Sequence, residues 1–539
     1  MREDETLPAG WATAKLPELI GPDGLFVDGD WVESKDQNPD GDVRLIQLAD
    51  VGDGEYLNKS ARFLTGDAAR RLRCTFLESG DVLIARMPEP LGRACMFPGD
   101  PMPSVTVVDV CVVRTAMPSV DHRWLVWAVN APQFRVAVES LQSGSTRKRI
   151  SRLNLATLEL PVPPPSEQRR IVAALEQQLS RIDAGVAALE RAKANLERYR
   201  ASVLKAACEG RLVPTEAELA RAEGRTYEPA SELLARILKE RRERWEADQL
   251  ARMKARGKPP KDDAWKKKYP EPAAPDTSAL PALPEGWCWA IWAQVGLSQN
   301  GRPFPSSEYS SEGVPLLRPG NLHVSGRVEW TPRNTRFLPE RWARESANLI
   351  VGPGELVMNL TAQSLKDEFL GRICLTGSRE RSLLNQRIAR LTPILVSARY
   401  LVWLFKSPLF RRFVDGLNTG SLIQHMFTSQ LDEFVVPLPP LAEQGRIAEE
   451  VERRLSRLEA VERAAKLGAA RASRLRQSLL AHAFSGKLVP QDPTDEPASV
   501  LLERIRKERE AAAAEKPKQP ARRGSPQRGP RKTAPKGPR

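Results

Sequence analysis

The chain has 539 residues, of which 82 are Lys or Arg and 68 are Asp or Glu, so its formal net charge is +14 and its pI is about 9.6. This basic excess suits a polyanionic partner. No stretch approaches the roughly 20 apolar residues needed to cross a bilayer, which excludes a membrane-spanning protein. The charged opening "MREDETLPAG" predicts no secretion signal, and the scattered cysteines without CxxC predict reduced thiols and a cytoplasmic location.

Residues 1–165 predict a mixed α/β domain. Three strand-like runs, at 43–51, 80–87 and 105–113, are separated by Gly, Pro and Asp. The segment 122–144, "HRWLVWAVNAPQFRVAVESLQSG", then predicts two amphipathic helices, broken at Pro132 and ended by Gly144.

A long helix is predicted next, from Ser166 to Glu209, after the Pro-rich stretch 161–165. Its apolar residues step by three and four, which is the spacing of a coiled-coil seam. We expect the seam to pack against another helix or a partner; after Val172 it consists of Leu175, Leu179, Ile182, Val186 and Leu189. A helix of 44 residues would span about 66 Å at 1.5 Å per residue.

A second helix is predicted at 231–255, so that the first helical region covers 166–256. The segment 257–282 is rich in proline and reads as a linker whose simplest role is a tether.

The remainder of the chain repeats this plan. The motif LPxGW occurs at 7–11 and at 283–287, and residues 123–214 align with 399–490 without a gap, with 35 identities in 92 positions. Unrelated sequences would match at roughly one position in fifteen. A second mixed α/β domain is therefore predicted at 283–441 and a second helical region at 442–514, with a thinner seam at Val451, Leu455 and Leu458. Residues 515–539 form a basic tail that is predicted to be disordered.

No catalytic motif appears at the spacing that its chemistry needs. There is no GxxxxGK[ST] phosphate loop, no GxSxG elbow and no clustered metal-ligand set among the four histidines. A glycine-rich S-adenosylmethionine loop and an Asn/Asp-Pro-Pro-aromatic motif are also missing. We therefore expect a chain without a reaction centre, without a metal site and without a cofactor of its own.

Four duplicated features resemble one family: the LPxGW opening, the "PxPPxxEQxxI" start of each long helix, the long helix itself and its "GxLVP" end. Together they resemble the specificity subunit of Type I restriction-modification systems over about residues 7–510. The resemblance implies an α+β protein with two tandem mixed α/β target recognition domains, separated by two long antiparallel coiled-coil helices in a pseudo-twofold symmetric arrangement.

The resemblance also implies the partners. Each recognition domain would read one half of a bipartite target in double-stranded DNA, and the length of the helix pair would limit the distance between the half-sites. Two modification (adenine methyltransferase) subunits would dock on the helices, and restriction subunits would join them. S-adenosylmethionine, ATP and Mg are expected on these partner subunits only, with no role for a membrane.

Candidate DNA-binding residues follow from the internal comparison. The loops at 143–150 and 419–427 share Gly-Ser and then diverge, so that Ser145, Arg147, Lys148 and Arg149 stand where the second copy has Ser421, Gln424 and His425. Arg suits guanine and Gln suits adenine, although contacts of the loops to phosphates are an equal alternative. Further candidates in or beside the strand-like runs are Gln47, Arg86, Arg318, Asn321 and Asn359.

An alternative function stays open from the sequence alone. The chain could be a helical scaffold that binds DNA without regard to sequence, in which case binding would be weak and sensitive to salt. A self-sufficient methyltransferase or nuclease is disfavoured because the motifs for either are missing.

Overall fold

The computed structural model describes residues 7–88, 90–144, 148–363, 368–417 and 424–515. It divides into two compact units, each built from separate stretches of chain: Met1–Leu189 with Leu467–Arg539, and Glu190–Lys466. Both long helices run through this division, so each unit holds a part of each helix. The predicted tail, apart from Glu515, lies outside the described residues.

The described strands follow the order of the chain. They are β1 (Ala12–Lys15), β2 (Leu25–Asp28), β3 (Val43–Ile46), β4 (Phe63–Leu64), β5 (Val82–Ala85), β6 (Ala94–Met96), β7 (Ser104–Thr106), β8 (Val110–Arg114), β9 (Glu159–Val162), β10 (Cys288–Ile291), β11 (Gly296–Asn300), β12 (Val314–Leu317), β13 (Phe337–Leu338), β14 (Ile350–Val351), β15 (Leu356–Asn359), β16 (Thr361–Ala362), β17 (Ile373–Leu375), β18 (Ser382–Leu384), β19 (Ile388–Pro393), β20 (Gln424–His425) and β21 (Val435–Leu438).

The described α-helices are α1 (Gly66–Leu72), α2 (His122–Asn130), α3 (Pro132–Ser140), α4 (Arg152–Thr157), α5 (Pro165–Cys208), α6 (Glu216–Glu223), α7 (Ala230–Ala255), α8 (Trp292–Val295), α9 (Glu340–Glu345), α10 (Ala398–Phe405), α11 (Pro408–Leu417), α12 (Thr428–Leu431), α13 (Leu441–Ala483) and α14 (Ala498–Glu515). The α+β class and the two long helices, α5 and α13, confirm the predicted fold class.

Both units contain the same sheets. In the first unit a four-stranded sheet has the order β2-β8-β5-β6, and a second sheet, β4-β3-β7, contains the parallel pair β3 and β7. The second unit matches these with β11-β19-β15-β17 and with β13-β12-β18-β14, in which β12 and β18 are parallel. Each unit also has a two-stranded antiparallel pair, β1-β9 or β10-β21, whose second strand leads into a long helix.

One strand-like run was predicted wrongly. The run 105–113 does not form a single strand, because the chain turns at Val107–Asp109 and continues as β8 in a different sheet. The amide of Val110 donates to the carbonyl of Val107 (2.9 Å) and closes this turn. Both resulting strands are almost wholly buried, so neither their hydrophobicity nor their length reveals the break.

The long helices pair antiparallel within each unit. In the first unit Arg476 of α13 contacts Asp183 of α5 (2.9 Å), and six residues further along α5 the side chain of Leu189 lies against Gly468. In the second unit Arg200 contacts Glu462 (3.1 Å), and the amide of Glu216 donates to Glu443 (2.8 Å). In both units the residue number in α13 falls as the number rises along α5 or, for Glu216, in the segment just after α5.

The predicted seam positions are not equally buried. Leu175 and Leu179 lie in the core of the first unit, and Val451, Leu455 and Leu458 lie in the core of the second. Ile182, Val186 and Leu189 are half-buried. A charged residue at Leu175 or Leu179 would therefore disrupt the module itself, in addition to any partner that docks on the helix.

The predicted linker is partly folded. Residues Ala264–Lys268 form a 3₁₀ turn, and Trp265 stacks on Trp245 of α7 with ring centroids 6.0 Å apart. Tyr269 packs edge-on against the same indole at 5.4 Å. The first part of the linker is thus held on α7, which an unstructured tether would not be.

Candidate nucleic-acid interface

A groove opens at the ends of the strands in the first unit. It has a volume of about 1080 Å³ and is lined by Gln47, which follows β3, by Met87 after β5, by the turn between β7 and β8, and by Gly144 and Arg149. Two of the candidates predicted from sequence, Gln47 and Arg149, are therefore brought together. Grooves at strand ends are common binding sites because loops converge there on a rigid sheet.

The loop that carries Lys148 and Arg149 is fixed at its base. Ser143 and Arg149 exchange two backbone hydrogen bonds (2.8 and 2.9 Å), and the amide of Ile150 donates to the carbonyl of Arg86 (3.1 Å). The side chains of Lys148 and Arg149 are exposed, and neither has an ion-pair partner among the described residues. Both cations are free to meet phosphates or base edges. Ser145 and Arg147 lie outside the described residues.

Trp31 is a groove residue that the sequence analysis missed. Its side chain is 70% exposed, which is unusual for an indole, and it lines the same groove as Gln47 and Arg149. Exposed aromatic residues are typical of binding surfaces. Arg149 lines the groove together with three carboxylates, those of Asp30, Glu33 and Asp109. The available signal was a lone tryptophan in the polar segment "DGDWVESKD".

Arg86 holds the edge of the groove in place. Its guanidinium pairs with Asp28 and donates to the carbonyls of Ile150 (3.0 Å) and Val108 (3.1 Å). These contacts join β2, the turn before β8 and the end of the candidate loop. They use Nε and Nη1 of the guanidinium, and contact of Arg86 with DNA stays a prediction.

Gln47 and Arg318 occupy equivalent places in the two units. Each precedes a 3₁₀ turn, and its backbone amide donates to a side chain three residues later, Asp50 (2.8 Å) or Asn321 (3.0 Å). Arg318 also donates to the carbonyl of Asn334 (3.2 Å) and lies over the ring of Tyr309. Both Gln47 and Arg318 remain half-buried, with part of the side chain accessible.

Asn321 and Asn359 are buried structural residues, which corrects their prediction as DNA contacts. Asn321 caps the 3₁₀ turn described above. Asn359 has no exposed surface, and its amide donates to the carbonyls of Thr361 (2.7 Å) and Phe369 (2.8 Å). A buried amide that satisfies backbone carbonyls cannot also read a base.

The loop of the second unit returns to the corresponding strand end. Gln424 and His425 form β20, which pairs with β16, and the amide of Met426 donates to the carbonyl of Leu360 (3.0 Å), as Ile150 does to Arg86. His425 is half-buried, and its ring packs edge-on against the exposed Phe427 at 4.5 Å. Ser421 lies outside the described residues.

The turn between β18 and β19 presents two polar residues that sequence reasoning also missed. Gln386 and Arg387 are exposed there, and the carbonyl of Arg387 accepts a hydrogen bond from the amide of Leu360 (2.9 Å). They therefore lie beside the strand end to which β20 returns. The signal in "NQRIAR" was hidden because the turn is short and flanked by buried strands.

The repeated Glu-Gln pair, at the start of each long helix, bonds that helix to the mixed α/β part of the same unit. The indole of Trp11 donates to Glu167 (3.0 Å), and the indole of Trp287 donates to Glu443 (2.9 Å). Gln168 accepts from the amide of Asp121 (3.0 Å), as Gln444 accepts from that of Ser397 (2.8 Å). Burial raises the pKa of both glutamates, although each indole hydrogen bond acts in the opposite direction.

The repeated opening and end motifs form one joint in each unit. A Cβ on Gly486 would lie 2.3 Å from Pro8, and a Cβ on Gly210 would lie 2.4 Å from Pro284. The amide of Ala498 donates to the carbonyl of Gly10, and that of Ala230 to the carbonyl of Gly286 (both 2.8 Å). The LPxGW of one copy thus packs against the GxLVP of the other, which explains why both motifs are duplicated.

The described residues offer little to a reaction. They contain no cluster of three or more His, Cys, Asp or Glu side chains that could hold a metal. All six cysteines are unpaired, and burial raises the pKa of Cys95 and Cys208 to about 12, so these thiols stay protonated at neutral pH. In the described part of the chain no helix has the length and apolarity that crossing a membrane requires.

The chain is similar to curated proteins of one kind, although no family model matches it. The specificity subunit of the Type I restriction enzyme EcoAI from Escherichia coli is 26% identical over 421 residues, which cover 69% of this chain and 67% of that protein. The EcoKI specificity subunit from E. coli strain K12 is 26% identical over 397 residues, 71% of each chain. The MjaVIII specificity subunit from Methanocaldococcus jannaschii is 27% identical over 174 residues, 32% of this chain and 40% of that protein.

The fold has a solved counterpart. A chain from a structure described as showing complex assembly and conformational transition of the type I R-M system superposes with a TM-score of 0.58 at 18% identity, covering 89% of this chain and 99% of that one. At this identity the likeness shows the fold alone. The EcoAI and EcoKI subunits match 69% and 71% of this chain. Over most of its length the chain is thus similar to the specificity subunits of Type I restriction enzymes, in agreement with the resemblance found in its sequence.

Proposed function

We propose that the chain reads a bipartite sequence in double-stranded DNA, one half with each unit, and has no reaction centre of its own. The observation that carries this proposal is the repetition of one anchored fold with different loop side chains. Lys148 and Arg149 follow the strand end of the first unit, whereas Gln424 and His425 follow that of the second. Two readers of different half-sites need a shared frame and different polar contacts.

We assign base or phosphate contacts to a small set in each unit. The set in the first unit is Trp31, Gln47, Lys148 and Arg149, and the set in the second is Arg318, Arg387, Gln424 and His425. Ser145, Arg147 and Ser421 flank the two loops and stay predictions. Arginine can bind guanine in two hydrogen bonds, and glutamine can bind adenine in the same way, which gives each unit a different preference.

The partners follow from the relatives, which are subunits of restriction enzymes. This chain works in a complex with methyltransferase and restriction subunits, with two modification subunits on the helices. S-adenosylmethionine, ATP and Mg belong to those partners. The reading modules are 1–165 and 283–441, the helical regions are 166–256 and 442–514, and 257–282 joins the two halves.

Selection from a pool of random duplexes tests this function. The chain, assembled with its modification subunits, is expected to enrich a motif of two specified blocks separated by a gap of fixed length. A scaffold that binds DNA without regard to sequence would enrich no motif and would show only salt-sensitive retention of the pool.

The double variant Lys148→Ala with Arg149→Ala extends the same selection. If these side chains read bases, one block becomes degenerate while the other is retained. If they contact only phosphates, both blocks stay and affinity falls for all sequences, with a salt slope smaller by about 0.9 per lost contact. An unchanged motif with unchanged affinity would remove both residues from the interface. Arg333→Ala, in an exposed segment of the second unit, is the control for the loss of a surface charge.

A further inference from the structure

A cavity unrelated to the strand-end grooves lies in the second unit, where α5 passes the turn between α10 and α11. Its volume is about 440 Å³. The lining includes Arg200 and Leu204 of α5, Phe405 and Lys406 at the end of α10, Arg411 of α11, and Arg372. Four cations therefore surround a space with apolar walls, within the size range of small-molecule sites.

Arg411 leaves one donor unused in this cavity. Its Nη1 donates to the carbonyl of Leu370 (3.1 Å) and its Nε donates to Asp415 (3.0 Å). Its Nη2 is buried and has no hydrogen-bond partner among the described residues. A buried donor without an acceptor is costly, so an acceptor placed beside this nitrogen would stabilise the protein.

The equivalent arginine of the first unit shows which groups Nη2 can bind at this position. Arg135 stands 276 residues before Arg411, and its Nη1 also donates to a backbone carbonyl, that of Leu91 (3.0 Å). Its Nη2 donates to the carboxylate of Asp53 (2.7 Å) and to the amide oxygen of Asn130 (2.6 Å). The second unit supplies neither acceptor: Lys406 replaces Asn130, and the neighbouring loop carries Val324 and Ser325 without a carboxylate.

Lys406 adds a second, half-buried cation to the same space. Its Nζ donates to the carbonyl of Val324 (2.9 Å), which leaves two further N–H donors on the ammonium. Burial lowers the pKa of Lys406 to about 8, and the charges of Arg200 and Arg372 act in the same direction. The carboxylates that line the cavity, Glu197 and Glu368, are exposed at its rim.

We propose that this cavity binds a small oxyanion, a carboxylate or phosphate group attached to an apolar or aromatic body. The oxyanion accepts hydrogen bonds from Nη2 of Arg411 and from Nζ of Lys406, as the Asp53 carboxylate does from Arg135 in the first unit. The apolar body lies against Leu204, Phe405 and Phe410. Because α5 and the α10–α11 turn both contribute side chains, an occupied site would strengthen the attachment of the second module to its helix. The proposal does not depend on DNA reading.

Titration calorimetry of the full chain with three probes tests the proposal. Phenyl phosphate, benzoate and inorganic phosphate separate the contribution of the anion from that of the ring. Phenyl phosphate, benzoate or both are expected to bind at least tenfold more tightly than inorganic phosphate and to raise the unfolding temperature. Tighter binding of phenyl phosphate would identify a phosphate site, and tighter binding of benzoate a carboxylate site. Failure of all three probes to bind, or equal binding of all three, would overturn the proposal.

Lys406→Asn is the decisive variant, because it recreates the arrangement around Arg135. The new amide oxygen can accept from Arg411, so the variant is expected to unfold at the same temperature as the wild type while binding the preferred probe at least tenfold more weakly. Arg344→Asn removes one exposed charge from the same unit and should leave binding unchanged. If Lys406→Asn does not fold, Lys406→Met keeps the apolar stem and carries the same expected loss. Equal weakening by the cavity and control variants would show a general charge effect and contradict the site.

Discussion

Replacing Glu443 with alanine is expected to lower the free energy of unfolding of the second unit by about 2–6 kcal/mol, because two buried donors lose their acceptor at about 1–3 kcal/mol each. One donor is the indole of Trp287 (2.9 Å) and the other is the amide of Glu216 (2.8 Å). Neither donor can reach water when the carboxylate is removed, because Glu443 and Trp287 are both buried.

Urea-induced unfolding followed by tryptophan fluorescence measures this loss. Glu167→Ala is the matched variant in the first unit and should cost less stability. Glu167 accepts from Trp11 with one oxygen, and its other oxygen has no partner among the described residues. Glu449→Ala, on the same helix but 70% exposed, should change stability by less than about 0.5 kcal/mol. If the Glu443→Ala protein were as stable as the Glu449→Ala protein, the hydrogen bonds of Glu443 would not hold the long helix on the sheets of the second unit.

The same glutamate gives stability a pH dependence of known sign. Burial raises the pKa of Glu443 above its ordinary value, so the folded state holds the proton more tightly than the unfolded state. Its contribution is fully present below the unfolded pKa and is lost as the pH rises through the folded pKa. The corresponding change of the free energy of unfolding with pH should be absent from the Glu443→Ala protein.

Gly210→Ala is expected to destabilise the second unit by about 1–3 kcal/mol more than Gly224→Ala does. Only the alanine at position 210 would place its methyl group against an already packed side chain. The two glycines have almost the same left-handed backbone, with φ of +64° and +65°. An added Cβ would lie 2.4 Å from the rigid ring of Pro284 at position 210, but it would meet nothing within 4 Å at position 224.

The difference between these two variants isolates the joint between LPxGW and GxLVP. Each alone includes the cost of a left-handed alanine, about 1–2 kcal/mol, which cancels in the comparison. Thermal unfolding of both proteins in the same buffer provides the measurement. Equal unfolding temperatures would mean that Gly210 is required only for its backbone conformation and that Pro284 can move aside.

The helices were predictable from the sequence because their signals are local. The 3–4 spacing placed α5 at 166–209, against Pro165–Cys208 in the structure, and Pro132 separated α2 from α3 as expected. The pairing of strands was not predictable, since β3 pairs with β7 across about 60 residues and the run 105–113 hides a turn between two buried strands.

The candidate interface was predicted only in part, for a related reason. Polar residues at strand ends have the same sequence signature whether they face solvent or satisfy backbone groups. Asn359 proved to be buried and Arg86 is half-buried and bonded to backbone carbonyls, whereas Arg149 and Gln47 line the groove. The Glu-Gln pair was visible as a repeat, but its partner Trp11 is 156 residues away from Glu167, so its role emerged only from the structure.

Exchange of one reading module tests the division of labour between the two units most directly. Residues 1–165 would be replaced by the matching module of a relative with a different target, and the methylated adenines of cells expressing either protein would be mapped across the genome. We predict that one half of the methylated sequence changes to that of the donor, while the other half and the gap between them stay the same. An unchanged methylated sequence, or a change in both halves, would contradict a chain in which each unit reads its own half-site.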